Sequence, residues 1–398
     1  MRVLFTGWAW PSHLYPMVPL AWACLAAGHE VRVAVPPDVQ DVILRAGLTP
    51  VSVGRAVDVT GVIRGFVKGP KTGNGRPSRP VARDPSARTP RALSMFVDLA
   101  VAMADDLAAF ARDWKPGLVV YDPTAWAGPL AAAVAGVPAV RQLYGTDLLV
   151  PARDAIIRAL EPLGDKLGVG PVDPMGALTI DPCPVTLQGQ VPGNRWRMRY
   201  LPYQGVHDRV PAEPPQRRDR PVVCVTWGTT MARLGHEYFL AGHVARALAG
   251  LDVEIVLAIA SGQRALLGPL PPGVRVVESV PLRLLTRGAD LLVHHGGAGS
   301  MLTGLVNGLP QLALPQLPDH IGHARRLAAT GAGAAMEPAD GFGMAEIRDT
   351  VAGLLASADH ERAARRLGVE MAAHPAPATL VAELEQLAGT RDGGRAAV

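Results

Sequence analysis

Only three cysteines are present, Cys24, Cys183 and Cys224, and they are scattered along the chain. Such spacing excludes a disulfide framework and a zinc-binding pattern, so all three are assigned to the core. No apolar run free of charge, Gly and Pro reaches the roughly 20 residues that a membrane span requires. The start, Met1-Arg2-Val3-Leu4-Phe5-Thr6 turning to Gly7-Trp8-Ala9-Trp10-Pro11, reads as a short strand and loop instead of a secretory signal, and the expected location is the cytoplasm. Charge is sparse, with 19% charged residues against 48% hydrophobic ones, as in a globular chain. The formal net charge of +4 comes mostly from dispersed arginines. One basic cluster, Lys68 to Arg91, contains no aromatic residue for stacking bases and no recognition-helix pattern, so nucleic acid is not an expected partner. It reads as a Gly/Pro/Arg surface loop, and long loops of this kind often border binding sites. An Asp-x-Asp pair suited to a divalent ion is missing too, and neither a metal nor another cofactor is expected.

What is present is an alternation of short apolar runs and helix-compatible stretches over 398 residues, enough for two domains of about 150 to 200 residues each. Strands are read at Arg2 to Thr6, Glu30 to Val35, Gly117 to Tyr121 and Ala139 to Leu143. Between them lie helices at Tyr15 to Ala27, Asp38 to Ala46, Ala92 to Trp114 and Ala125 to Ala135. Gln204 to Arg220, with Pro211, Pro214 and Pro215, reads as a linker. Beyond it the plan repeats, with strands at Val222 to Thr226, Val253 to Leu257, Val274 to Val277, Asp290 to Val293 and Gln311 to Leu314, and a helix at Glu237 to Ala249. The fold class is therefore α/β, with two facing doubly wound, Rossmann-like domains and a cleft where ligands meet the carboxyl ends of the strands. A dehydrogenase would need Gly-x-Gly-x-x-Gly after a first strand and an acidic residue about 20 positions on, and neither half supplies them. Gly331-Ala332-Gly333 follows a helix and reads as a helix stop and turn.

His294-His295-Gly296-Gly297-Ala298-Gly299-Ser300 is the most specific stretch, set between an apolar strand and a helix. Glycines let the backbone approach a ligand, and the first free N–H groups and positive dipole end of the next helix point into the turn. With the Ser300 hydroxyl and His295 imidazole as further donors, the turn suits a diphosphate; the plainer alternative is a strand-to-helix turn with a buried histidine.

In order, Ser12-His13-Leu14-Tyr15-Pro16, Asp181-Pro182-Cys183-Pro184, Met198-Arg199-Tyr200-Leu201-Pro202-Tyr203, Val280-Pro281-Leu282, the His294 to Ser300 turn and Pro318-Asp319-His320 make the chain resemble inverting B-fold glycosyltransferases, over nearly its full length. Within them it is similar to the actinobacterial enzymes that attach nucleotide-activated deoxysugars to natural-product aglycones. That resemblance implies an acceptor-binding domain over 1–203, a linker over 204–220, a nucleotide-sugar domain over 221–374, a C-terminal helix over 375–390 crossing back to the first domain, and a tail over 391–398. It also implies a dTDP-sugar donor and a small-molecule acceptor, with His13 as catalytic base. Asp122, after the strand Leu118 to Tyr121, would orient that base; the plainer reading of Asp122 is a helix N-cap. On the donor side Gly228, Thr229, His295, Gly297, Ala298, Gly299 and Ser300 would hold the diphosphate. Val280 would meet the nucleobase through its backbone, or else pack in the core; Asp319 would accept bonds from sugar hydroxyls, or else cap its helix.

The family commonly has Gly where Ser12 stands and Gln where His320 stands, so donor-sugar preference transfers least. The aglycone is expected near Trp8, Trp10, the Ile63 to Arg91 loop and Tyr144, although the two tryptophans could equally pack the domain. A sugar-nucleotide isomerase or epimerase of the same shape, and a non-catalytic sugar-nucleotide-binding auxiliary protein, are the alternatives. Independence of a helper protein is expected, and homodimerisation is left open.

Overall fold

Runs that are apolar on both faces become interior parallel strands, because crossover helices cover both sides of such a sheet. Leu118, Val119, Val120 and Tyr121, for example, are all fully buried. The computed structural model describes residues 1–68, 91–205, 219–337 and 341–389. It divides into two compact units: Met1–Asp181, Val191–Met198 and Pro375–Val398 form one, and Pro182–Gln190 with Arg199–His374 the other. The division therefore does not fall at one point near residue 203, as the sequence suggests. Short segments after Asp181 and after Met198 already pack with the second unit, where Cys183 and Tyr200 join the core around Leu302 and Leu305.

The first unit holds a seven-stranded sheet of β1 (Arg2–Thr6), β2 (Glu30–Val35), β3 (Pro50–Ser52), β4 (Leu118–Tyr121), β5 (Ala139–Gln142), β6 (Leu178–Asp181) and β7 (Arg195–Arg197), in the order β3-β2-β1-β4-β5-β6-β7. All its pairings are parallel. The second unit holds β8 (Val222–Thr226), β9 (Glu254–Ile259), β10 (Arg275–Glu278), β11 (Leu291–His294), β12 (Gln311–Ala313) and β13 (Gly333–Ala335), again all parallel, in the order β10-β9-β8-β11-β12-β13. In each sheet the winding reverses between two neighbours, β1 and β4 in the first, β8 and β11 in the second. Connections to either side of such a reversal diverge, which opens a crevice at the carboxyl ends of those two strands.

Several elements differ from the sequence reading. β3, β6, β7 and β13 are added, and Gly333 opens β13 instead of belonging to a turn. β7 escapes detection because Arg195 and Arg197 belong to a buried ion network. The Arg195 guanidinium reaches Asp147 at 2.7 Å and Asp181 at 2.8 Å, and Arg141 reaches Asp147 at 2.6 Å. Paired charges of this kind tolerate a burial that hydropathy argues against. The expected Ile63 to Arg91 loop begins inside a helix, Val59–Lys68, and its residues 69–90 lie outside the described residues. Helix Pro377–Gly389 packs against helix Val18–Ala26 within the first unit, and Glu385 lies 2.9 Å from His29. Among the described residues, no helix is long and apolar enough to cross a membrane.

Candidate active site

β1 and β4 run side by side with Thr6 opposite Tyr121, and the Asp122 amide donates to the Thr6 carbonyl at 3.1 Å. The loops that leave these two strands therefore start from one edge, at the reversal point of the first sheet. After β1 the chain turns through Trp8 and Trp10 into the short helix Pro11–Leu14, which carries His13. His13 Nδ1 lies 3.0 Å from Asp122 Oδ2, with the Asp122 side chain fully buried and the His13 side chain 11% exposed. A carboxylate only accepts, so Nδ1 is the donor in this pair. Asp122 is no helix cap, since the next helix begins at Ala127 behind Trp126. Its other oxygen, Oδ1, accepts from the Thr124 amide at 2.9 Å and from the Thr124 hydroxyl.

Aromatic rings enclose the histidine. Trp8 meets it edge-on with centroids 4.8 Å apart, and Tyr144 also lies against it, at 4.1 Å. Trp8 and Trp10 are buried, 2% and 4% exposed, so they act as walls of the unit more than as open surface for a ligand. Tyr144, half-buried, remains the more accessible ring.

At the reversal point of the second sheet, β8 leads to Trp227-Gly228-Thr229 and β11 to the His295 turn. The two loops interlock around one ring. A β-carbon at Gly228 would stand 2.8 Å from His295 Cε1, and one at Gly297 would stand 2.4 Å from Nε2. Gly228 also holds φ at 59°, in the left-handed region that glycine adopts without strain. Gln263 braces this loop, donating from Nε2 to the Gly228 carbonyl at 2.9 Å while its Oε1 accepts from the Ala260 amide at 2.8 Å. Gly297 is the residue ahead of helix Ala298–Val306, and no side chain caps that end. Gly299 is exposed and Ser300 half-buried.

The histidines here are neutral for a physical reason. Burial pushes the His294 imidazole down to about 3, with His295 beside it adding in the same direction. Burial, followed by the neighbouring His320, holds His295 well below the usual imidazole range. His294 Nδ1 accepts from the Gly296 amide at 3.1 Å, which fixes the turn from within. His320 sits on the first turn of helix Pro318–Ala329, 5% exposed, with its ring set edge to face against His295 at 5.0 Å. Asp319 precedes it on the same turn and is half-buried; the helix starts behind Leu317, so Asp319 is not its cap. Val280 packs its side chain against the core around Cys224, Leu285 and Leu292. Its neighbour Ser279 adopts φ of 54°, uncommon for a residue with a side chain, held by its amide on the Ile259 carbonyl at 2.9 Å.

The structure thus brings His13 and Asp122 together in one unit, and Gly228, His295, Gly297 and His320 together in the other. Two contributors escape sequence reading. Thr124 was legible only as the third residue of Asp122-Pro123-Thr124, a turn in which an aspartate bonds backbone two positions on. Gln263 had no local signal, because its partner Gly228 is distant in sequence. Among the described residues, no group of three or more His, Cys, Asp or Glu is placed to hold a metal ion.

Both halves of the chain match a family model: the N-terminal domain of the erythromycin biosynthesis protein CIII-like family over residues 22–228, and its C-terminal domain over 243–387. A 10-deoxymethynolide desosaminyltransferase of Streptomyces venezuelae is 37% identical, covering 98% of this chain and 97% of that one. An L-demethylnoviosyl transferase of Streptomyces niveus is also 37% identical, covering 96% of both. Among solved structures, the spinosyn rhamnosyltransferase SpnG superposes with a TM-score of 0.82 at 31% identity, over 97% of this chain and 100% of that one. The chain belongs to the erythromycin biosynthesis protein CIII-like family, and it is a glycosyltransferase of the two-domain B fold.

Proposed function

We propose that this enzyme moves a deoxysugar from a dTDP-sugar to a hydroxyl, or another nucleophile, of a natural-product aglycone, with inversion and without a metal ion, in the cytoplasm. One observation carries the reading: each sheet places a chemically matched pair at its reversal point, His13 with Asp122 in the first and Gly228 with the His295 turn in the second. The first pair supplies a base and the second a place for an anion. Two solved complexes of a relative add support: SpnG with thymidine diphosphate, and SpnG with spinosyn aglycone.

In this reading the acceptor hydroxyl gives its proton to His13 Nε2 as its oxygen attacks the anomeric carbon. Asp122 accepts from Nδ1 and stabilises the imidazolium as it forms; a positioned base of this kind contributes about 10² to 10⁴ in rate. The bond from the anomeric carbon to the leaving phosphate oxygen breaks on the opposite face. Negative charge then develops at the start of helix Ala298–Val306, where the N–H groups of Gly299 and Ser300, the Ser300 hydroxyl and the His295 imidazole donate. Thr229 would add a contact to the diphosphate, Val280 would hold the base through its backbone, and Asp319 would accept from the sugar.

A thermal-shift panel of nucleoside diphosphates tests the donor half directly. Thymidine diphosphate is expected to give the largest rise, since a ligand at about 100 times its Kd adds about 2.7 kcal/mol. An equal response to every nucleoside diphosphate would remove the base preference, and no response to any would remove the seat.

A further inference from the structure

Asp122 needs something to hold its carboxylate plane. The terminal torsion of an aspartate is broad and carries little intrinsic preference, so the orientation of Oδ2 toward His13 is set by whatever grips Oδ1. Two donors do so, the Thr124 amide at 2.9 Å and the Thr124 hydroxyl. The hydroxyl is itself held, because Trp8 Nε1 donates to Thr124 Oγ1 at 2.8 Å across 116 positions of sequence. Every proton in this chain of bonds is assigned by chemistry alone. An indole N–H only donates and a carboxylate only accepts, so the Thr124 hydroxyl must receive from Trp8 and give to Asp122. The same logic puts the His13 proton on Nδ1. Trp8 also packs its ring edge-on against the His13 imidazole, so one side chain touches both ends of the relay.

We propose that Thr124 and Trp8 are positioning residues: the relay Trp8 to Thr124 to Asp122 locks the carboxylate so that His13 keeps a single tautomer with Nε2 unprotonated. The proposal rests on the assignment of His13 as the base and reaches past it to the groups that make that base usable. A bond to an ionised group is among the stronger ones, and a buried relay of three polar groups costs most when it is left half-satisfied.

Proton NMR of the folded protein tests this without any substrate. The His13 Nδ1 proton, held by a buried carboxylate, gives a resolved downfield signal, assigned by its absence in His13→Ala. Thr124→Val, which keeps shape and loses the hydroxyl, is expected to speed exchange of that proton with water by about tenfold or more. Thr124→Ser restores the hydroxyl and is expected to return the slow exchange. Trp8→Phe keeps an aromatic ring, loses the N–H, and is expected to speed exchange by a smaller factor; it also decides the matter should Thr124→Val fail to fold. Asp122→Asn separates the two ideas. If it leaves the His13 signal unchanged, the dyad itself is wrong. If it abolishes the signal while Thr124→Val and Trp8→Phe exchange as slowly as the parent, the relay alone is overturned. Thr124→Ser behaving like Thr124→Val would also overturn it, by reducing Thr124 to a packing methyl.

Discussion

Gly297 leaves no space beside His295: a single added carbon would stand 2.4 Å from the imidazole Nε2. The ring is buried and packed against His320 besides, so it has little room to yield. Gly297→Ala should therefore displace the imidazole and the start of helix Ala298–Val306 together. Overpacking of this kind costs typically about 1–3 kcal/mol. Calorimetric titration with thymidine diphosphate is expected to show affinity reduced about tenfold or more, with the His13–Asp122 pair in the other unit untouched. Parental affinity in a folded Gly297→Ala protein would detach this turn from the donor.

Acid should loosen the second unit through its buried histidines. An ordinary imidazole titrates near 6.5, whereas burial and the adjacent His295 push that of His294 down to about 3. Below about pH 6.5 the unfolded chain binds a proton at His294 that the folded chain refuses. Stability is thus complete above that value and declines as pH falls toward the folded-state value, by up to about 1.4 kcal/mol per pH unit for one such group. His295, lowered in the same direction, steepens the decline. Melting temperatures measured downward from neutral pH are expected to fall, and His294→Asn, whose amide oxygen can replace Nδ1 as acceptor for the Gly296 amide, should flatten the slope. A melting temperature that rises on acidification would contradict the assignment of neutral buried rings.

His13→Ala is expected to lose transfer by about 10² to 10⁴ while thymidine diphosphate still binds. Asp122→Asn should cost nearly as much, because an amide can present N–H to Nδ1 and favour the wrong tautomer. Steady-state rates with a nucleotide-sugar and acceptor pair, set beside diphosphate binding, check both. Full activity in His13→Ala would leave the reaction without its proposed base.

His320 sits where it can act on His295 as much as on a sugar. The rings are 5.0 Å apart, and a β-carbon at Gly296 would be 3.0 Å from that of His320. His320→Gln is expected to change the ranking of donor sugars in a competition assay and to alter thymidine diphosphate affinity as well. If neither moves, His320 has no part in the donor site.

Chelation gives the last check. Donors from the chain and a helix end are proposed to carry the charge of the leaving diphosphate, so transfer should proceed unchanged in excess EDTA. Activity lost to EDTA and returned by a divalent cation would show that the seat alone is insufficient.

Much of this was legible from residue order. β1 and β8 stand where the largely apolar runs Arg2–Thr6 and Val222–Thr226 place them, because a buried parallel strand needs near-continuous apolar character and little else. The glycine-rich turn lies between β11 and helix Ala298–Val306, as residue order places it; its role as an anion seat is the proposal that the Gly297 and diphosphate experiments test. β7 was not legible, because Arg195 and Arg197 are acceptable inside only when Asp147 and Asp181 arrive from elsewhere in the chain.

The chain by itself determined which residue types end which strands: a histidine after β1, an aspartate after β4, glycines after β8 and β11. Only the tertiary structure decided that β1 lies beside β4 and β8 beside β11, and that the order reverses at those two places. Strand order is set by long-range packing, on which local sequence is silent. The pairing of His13 with Asp122, 109 positions apart, and the grip of Trp8 on Thr124 exist because two strands far apart in sequence became neighbours.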